Sequence, residues 1–371
     1  MKFLFVIVVL VGVVPIALSQ AVYPDSIRLN DIRIIASHNS YKKRPDPKVI
    51  RFLSKFKKRL GEDMDPKRLD YGHLTLTEQF NDYGVRGIEL DVYYDPKGGK
   101  FRKRRVNFFI PGVKQRLKDV EMRQPGFKML HIADIDYETH YLTFISALKE
   151  IKVWSDAHPD HIPLFINIEP KGDSPGDYSR VLRWMGFRRA LKYDSLAYDA
   201  LDQEIWSVFT NRNQVYRPEN LKGSFTSVSE RLKIENWPTL NECLGKVIFI
   251  VDGDRGGKYR QFLENGEDRP MFVYSEPESE STAFVKRNEP IGQEDAISEL
   301  TELYIVRTRT DVETIQARNN DYSMYEAAIA SQAQILSTDF YASDERFGSF
   351  KITLDPFKSD RSKPFILRKR D

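Results

Sequence analysis

An α/β fold, a single parallel (β/α)8 TIM-type barrel with insertions, is what this sequence predicts, and three observations carry the expectation. Eight short runs rich in β-branched residues recur along the chain. Each ends in polar residues and is followed by a stretch long enough for a helical crossover. No internal repeat or low-complexity linker divides the chain, so residues 20–371 read as one catalytic domain. An open doubly wound sheet is the alternative architecture.

The elements follow in order. Lys2, the apolar run Phe3 to Val14, Pro15 and the small-residue pattern Ala17-Leu18-Ser19 predict a secretory signal peptide over residues 1–19, cleaved near Ser19/Gln20. Strands are expected at Ile32–Ala36, Gly87–Tyr93, Lys128–Ile132, Leu164–Ile168, Val247–Val251, Met271–Tyr274, Leu303–Thr308 and Gln334–Ser337. Between them, Tyr141 to Trp154 places Leu142, Ile145, Leu148, Lys149 and Ile151 near one helical face, and His158-Pro159 stops it. Leu201 to Phe209 follows the same period, and Trp237-Pro238-Thr239-Leu240 reads as a helix start. The stretch from Gly172 to Gly245 is long for one crossover and should carry extra helices.

Composition narrows the chemistry. With 41% apolar residues, the 371-residue chain can bury a large core. Its 57 Lys and Arg against 54 Asp and Glu give a net charge of +3, too small to argue for a nucleic-acid partner. The single Cys243 excludes an internal disulfide and a cysteine-rich metal site, so any metal ligands are oxygen or nitrogen. No segment after the leader approaches the roughly 20 apolar residues of a bilayer span, which predicts a secreted, extracellular protein.

In such a barrel, function gathers where strands end. The first strand delivers Ser37-His38-Asn39-Ser40-Tyr41 to the rim. The second reads Arg86-Gly87-Ile88-Glu89-Leu90-Asp91, and alternation points Glu89 and Asp91 to one face. Two like charges inside a barrel require either a cation or Arg and Lys partners. The third run holds His131, and the fourth ends Asn167-Ile168-Glu169-Pro170-Lys171. Asn39, Glu89, Asp91 and Glu169 together suit a hard cation such as Ca2+. His38 and His131 then remain for the phosphoryl oxygens and the leaving group of a phosphodiester.

These segments, in this order and spacing, resemble the calcium-dependent phosphatidylinositol-specific phospholipases C, in particular the secreted single-domain branch. Weaker similarity continues through Trp237-Pro238-Thr239-Leu240, Gly245 to Phe249 and Ser337-Thr338-Asp339-Phe340. The resemblance implies that His38 stabilises the pentacoordinate phosphorane and His131 protonates the departing diacylglycerol oxygen. It also implies that Asn39, Glu89, Asp91 and Glu169 are calcium ligands, with attack by the inositol 2-hydroxyl giving a cyclic inositol phosphate. A carboxylate ligand such as Glu89 would take the hydroxyl proton. Lys171, Arg307 and Arg309 are the substrate-phosphate candidates, ordinary salt-bridging being the alternative for them. Glycerophosphodiesterases and sphingomyelinases D share an early histidine and a Glu-x-Asp pair. The former show His-Arg-Gly and His-Asp where this chain has His38-Asn39-Ser40 and His131-Ile132. A secreted phosphoinositide-binding barrel without turnover is a further alternative.

Charge placement points toward an anionic membrane surface. Residues 42–60 carry a net +8 and residues 97–118 a net +9, leaving a net −15 for the rest of the mature chain. Both segments follow predicted strands, so they should ring the mouth of the barrel and attract phospholipid headgroups. Phe108-Phe109-Ile110 would dip into the interface or pack on the barrel. The basic end Arg368-Lys369-Arg370 reads as a solvated terminus.

Overall fold

The computed structural model describes residues 23–57, 65–253 and 257–354, together with a strand at 365–366. The predicted leader, Lys58, Arg59 and the basic end at 368–370 lie outside the described residues.

Eight parallel strands form the barrel: β1 (Ile32–Ser37), β2 (Gly87–Asp95), β4 (Leu164–Pro170), β5 (Val247–Val251), β6 (Met271–Val273), β7 (Phe284–Lys286), β8 (Ile305–Arg309) and β9 (Ile335–Thr338). Their order is β6-β5-β4-β2-β1-β9-β8-β7. The circle is nearly closed by a single parallel bridge, Tyr274 to Phe284. The two remaining strands pair antiparallel: β3 (Gly126–Met129) on β2 and β10 (Phe365–Ile366) on β1.

The expected strand at Lys128–Ile132 is therefore not a stave of the barrel. It is the end of a hairpin arm on β2, with Met129 opposite Val92 and Gly126 opposite Asp95. The eighth stave is Phe284–Lys286, which the sequence reading passed over. Three residues of Phe-Val-Lys give too short a period to register, although Phe284 and Val285 are fully buried.

Helices fill the crossovers as the apolar periodicity requires. Phe144–Ala157 starts at the N-cap Thr143, whose side chain accepts from Ser146 N, and buries Ala147, Leu148, Ile151 and Trp154. Ser195–Val208 is capped by Asp194 and buries Leu201 and Ile205. Thr239 caps Leu240–Cys243, so Pro238 stands just outside that helix rather than in its first turn. Between β4 and β5 the chain does carry several short helices, among them Pro175–Tyr178 and Arg180–Trp184.

Two apolar cores result. The larger joins the strands to the helices around Ile88, Phe165, Ile205, Trp237 and Phe249. The smaller lies beneath the loops after β2 and β4, joining Val49, Phe101, Val106, Met122 and Phe187. The second core turns these loops into a packed structure, which gives the rim of the barrel a fixed shape.

Candidate active site

Parallel register builds the acidic cluster. Along β2 and β4, Glu89 sits beside Asn167 and Asp91 beside Glu169, and alternation turns all four into the barrel. One carboxylate oxygen from each of Glu89, Asp91 and Glu169 lies within 4.8 Å of the others. That separation suits one Ca2+, whose ligand oxygens stand about 2.3–2.6 Å from the ion. Asp91 is fully buried, and its charged partner is Lys171 Nζ, 3.0 Å from Oδ2. Burial, with repulsion from Glu169 and Glu89, raises Asp91's proton affinity against the pull of Lys171. Three carboxylates whose oxygens converge suit a hard cation, so the residues present fit the metal.

Cationic side chains also reach this cluster. Lys171 Nζ is 3.0 Å from both Asp91 and Glu169. Arg307 pairs with Glu89, reaches Asp252 at 3.5 Å and donates to Ser337. Arg309 donates to Asp339 at 3.0 Å. The three expected phosphate-binding cations are thus all ion-paired within the site. Arg307 is 4% exposed, so it works on Glu89 from beneath rather than at the mouth.

The site contains two imidazoles held in the same way. His38 follows β1 directly, and its Nδ1 lies 2.9 Å from Asp339 Oδ1 while Nε2 lies 3.3 Å from Glu89 Oε1. Burial and Arg309 oppose a charge there, but Asp339 and Glu89 outweigh them and raise the pKa above that of ordinary imidazole. His131 comes two residues after β3, with Nδ1 2.8 Å from Asp136 Oδ2. The side chain of Lys42 also reaches Asp136 at 3.3 Å, and Tyr93 Oη donates to the His131 carbonyl at 3.4 Å. Tyr41 and Tyr93 are both buried, and burial, then the charges of Asp91 and Asp136, raises the proton affinity of the Tyr41 hydroxyl. The histidine expected in a barrel strand thus belongs to the hairpin arm, where Asp136 holds it.

Asn39 stands at a φ of 51°, a left-handed position that asparagine tolerates better than most residues. Its Nδ2 donates to Tyr71 Oη at 3.0 Å, which leaves the amide oxygen as the end available to a metal. Glu89 has partners at both oxygens: Asn167 donates to Oε2 at 2.9 Å, Arg307 to the same oxygen, and His38 faces Oε1 at 3.3 Å. Despite burial, His38 and the arginines hold it well below the usual carboxylate range, near 2. That engagement speaks against Glu89 as the acceptor of a hydroxyl proton.

Asp136, Asp339, Asn167 and Asp252 were not singled out from the sequence as site residues. Asp339 and Asp252 directly follow the apolar strands β9 and β5, the position that made His38 a candidate after β1. That signal was available for both. Asp136 had none, because its place depends on a turn in which Ile132 N and Asp136 O bond across the hairpin arm.

The basic segments are only partly a surface. Lys42 is fully buried, donating to the Leu69 and Tyr71 carbonyls, and Arg104 is buried against Glu138 at 2.8 Å. Those two are structural, which corrects the count of cations at the rim. In the aromatic segment Ile110 is buried, Phe109 stacks between Phe52 and Phe187, and Phe108 is 58% exposed. Most of that segment packs on the protein, and its first residue faces solvent. No helix among the described residues is long and apolar enough to cross a membrane.

Comparison with known proteins adds a family and a fold. Residues 27–364 match the family described as phosphoinositide phospholipase C, Ca2+-dependent. Among solved structures, the chain is similar to a calcium-dependent phosphoinositol-specific phospholipase C from a Gram-negative bacterium, Pseudomonas sp. For its myoinositol complex the TM-score is 0.52 at 16% identity, covering 85% of this chain and 91% of that one. A second crystal form gives 0.51 at 17% identity, covering 86% and 93%. At such identity the likeness is one of fold. No curated protein matches.

Proposed function

This chain belongs to the Ca2+-dependent phosphoinositide phospholipase C family, enzymes that cleave phosphodiesters, and from that premise we propose that His38 and His131 act as its catalytic pair on phosphatidylinositol. The products are diacylglycerol and a cyclic inositol phosphate. One observation carries this reading: His38, gripped at Nδ1 by Asp339, faces Glu89 of a cluster of three carboxylates, and His131 is gripped in the same way by Asp136.

Glu89, Asp91, Glu169 and the Asn39 amide oxygen would hold Ca2+. Bound there, the ion would neutralise phosphate charge and acidify the inositol 2-hydroxyl. The chain's own residues do the rest. Asp339 fixes the His38 ring so that Nε2–H serves a phosphoryl oxygen as negative charge grows on it. Asp136 fixes His131 so that the other ring nitrogen faces the leaving group. The inositol 2-oxygen bonds to phosphorus as the bond to the diacylglycerol oxygen breaks. The 2-hydroxyl proton passes to a carboxylate of the site, and His131 supplies the proton that the leaving oxygen takes up. Lys171 and Arg309, at the mouth, bind the substrate phosphate, and Arg307 positions Glu89. The leader-like residues 1–19 support secretion, with action at an anionic membrane surface.

Headgroup release across a small lipid panel tests the reading. Phosphatidylinositol should give water-soluble inositol phosphate, and His38→Ala and His131→Ala should both abolish it. Turnover of choline or glycerol phosphodiesters in preference to phosphatidylinositol would instead favour another phosphodiesterase specificity.

A further inference from the structure

Away from the acidic cluster, the loops after β2 and β4 meet in an open cleft of about 550 Å3. Six cations line it: Lys100, Arg102, Lys103, Arg183, Arg188 and Arg189, with no acid among the lining residues. Arg189 is paired with Asp177 at 2.8 Å. Arg188 Nε is buried with no hydrogen-bond partner among the described residues. Burial lowers the pKa of Lys100 against the pull of Asp95 and Asp177, and Arg188 and Arg189 lower it further. So dense a set of like charges is stabilised by an anion.

An exposed apolar ridge borders the cleft. Val181 is 64% and Trp184 88% exposed, three residues apart on the helix Arg180–Trp184 that also carries Arg183. Phe108 is joined to the same surface: Arg105 lies over its ring at 4.6 Å and donates to the Met185 carbonyl. A Cβ at Gly186, which has a φ of 88°, would stand 3.0 Å from the Arg105 guanidinium, so this glycine lets the two loops meet.

We propose that the cleft and its ridge form a bilayer-docking site, in which the six cations receive the phosphate of an anionic phospholipid while Trp184, Val181 and Phe108 enter the interface. The site is separate from the acidic cluster and rests on the catalytic reading in one respect, that a lipid substrate brings the protein to a bilayer. Charge complementarity favours a membrane, and so does the aliphatic Val181 beside the aromatics. A nucleic-acid strand would instead want aromatic platforms for successive bases. The loops also follow β2 and β4, the strands that carry Glu89, Asp91 and Glu169, so docking there turns the mouth of the barrel toward the lipid.

Vesicle sedimentation with the full chain in excess EDTA tests this without turnover. Vesicles of phosphatidylcholine with one quarter phosphatidylserine should carry the protein down, and pure phosphatidylcholine should not. Each basic residue removed should weaken binding about fivefold, so Lys100→Gln with Lys103→Gln should cost roughly 25-fold. Brominated lipid should quench tryptophan emission, and Trp184→Phe, at a fully solvated position, should remove that quenching. His38→Ala should bind vesicles like the parent, so loss of turnover and loss of docking are separable. The proposal is overturned by undiminished binding of the double variant, by quenching that survives Trp184→Phe, or by tight binding of single-stranded RNA with no response to vesicles. Inorganic phosphate displacing the protein at micromolar concentration would also overturn it, by making a soluble anion the ligand.

Discussion

His38 and His161 occupy opposite ends of the same barrel, and the contrast between them separates what serves chemistry from what serves the fold. His161 precedes β4 and is buried; its Nδ1 donates to the Ile162 carbonyl at 2.6 Å, so its Nε2 must accept from Ser155 Oγ at 2.8 Å. Both nitrogens are satisfied by a neutral ring, and burial pushes the pKa down to about 4. His38, at the other end, faces two carboxylates and is pushed the opposite way. Residue type is shared, although His38 is a little more open than His161. What differs is whether the neighbours are dipoles that complete a neutral ring or charges that demand an ionised one. At the His38 end the neighbours are charged groups, Asp339, Glu89 and Arg309, and that is the mark of the site.

The largest test of the contrast is activity. His38→Ala and His131→Ala should each lower kcat by about 10²–10⁴, the range of general acid–base catalysis, whereas His161→Gln should leave kcat within a few-fold. Equal loss from His161→Gln would erase the distinction. Next comes stability at the upper end. Arg307→Ala strands Glu89 and Asp252 as buried, poorly paired charges and should cost about 3–5 kcal/mol in denaturant unfolding. A cost under about 1 kcal/mol would mean that the barrel interior is well hydrated.

The pH dependence of stability follows from His161. The unfolded chain binds a proton at about 6.5, and the folded ring resists it until about 4. Stability from this residue is therefore complete above pH 6.5 and declines as pH falls toward 4, by at most about 3 kcal/mol. His38, its pKa raised, contributes with the reverse sign, its share being lost as pH rises through the folded value. His161→Gln should flatten the acid limb of unfolding free energy against pH, and an unchanged limb would contradict the neutral assignment. The smallest effect is Ser155→Ala, which removes the donor to His161 Nε2 and should cost about 1 kcal/mol with no change in turnover.

The barrel was legible because seven of its staves contain apolar runs closed by polar residues, a pattern that local sterics and burial both impose. Phe284–Lys286 escaped because a three-residue strand, buried among Trp237, Phe272 and Tyr274, owes its conformation to neighbours rather than to its own period. The acidic cluster was legible for a related reason. Alternation fixes that Glu89 and Asp91 share a face, and strand ends fix where His38 and Glu169 lie. What sequence does not encode locally is pairing across the barrel. Asp339 reaches His38 over a separation of 301 residues, and Arg307 reaches Glu89 over 218, so only the closed barrel reveals them. Lys42 shows the reverse error: a lysine in a basic run reads as solvated, yet it is sealed inside by two carbonyls and Asp136.

Phosphorus NMR of phosphatidylinositol vesicles, followed with the full chain in calcium and then after chelation, is the most direct trial of the two-histidine, three-carboxylate site. A cyclic inositol phosphate resonance that grows with calcium and stops on chelation is the predicted record. Undiminished turnover in the chelator, or a lipid signal that never changes in either condition, would contradict it.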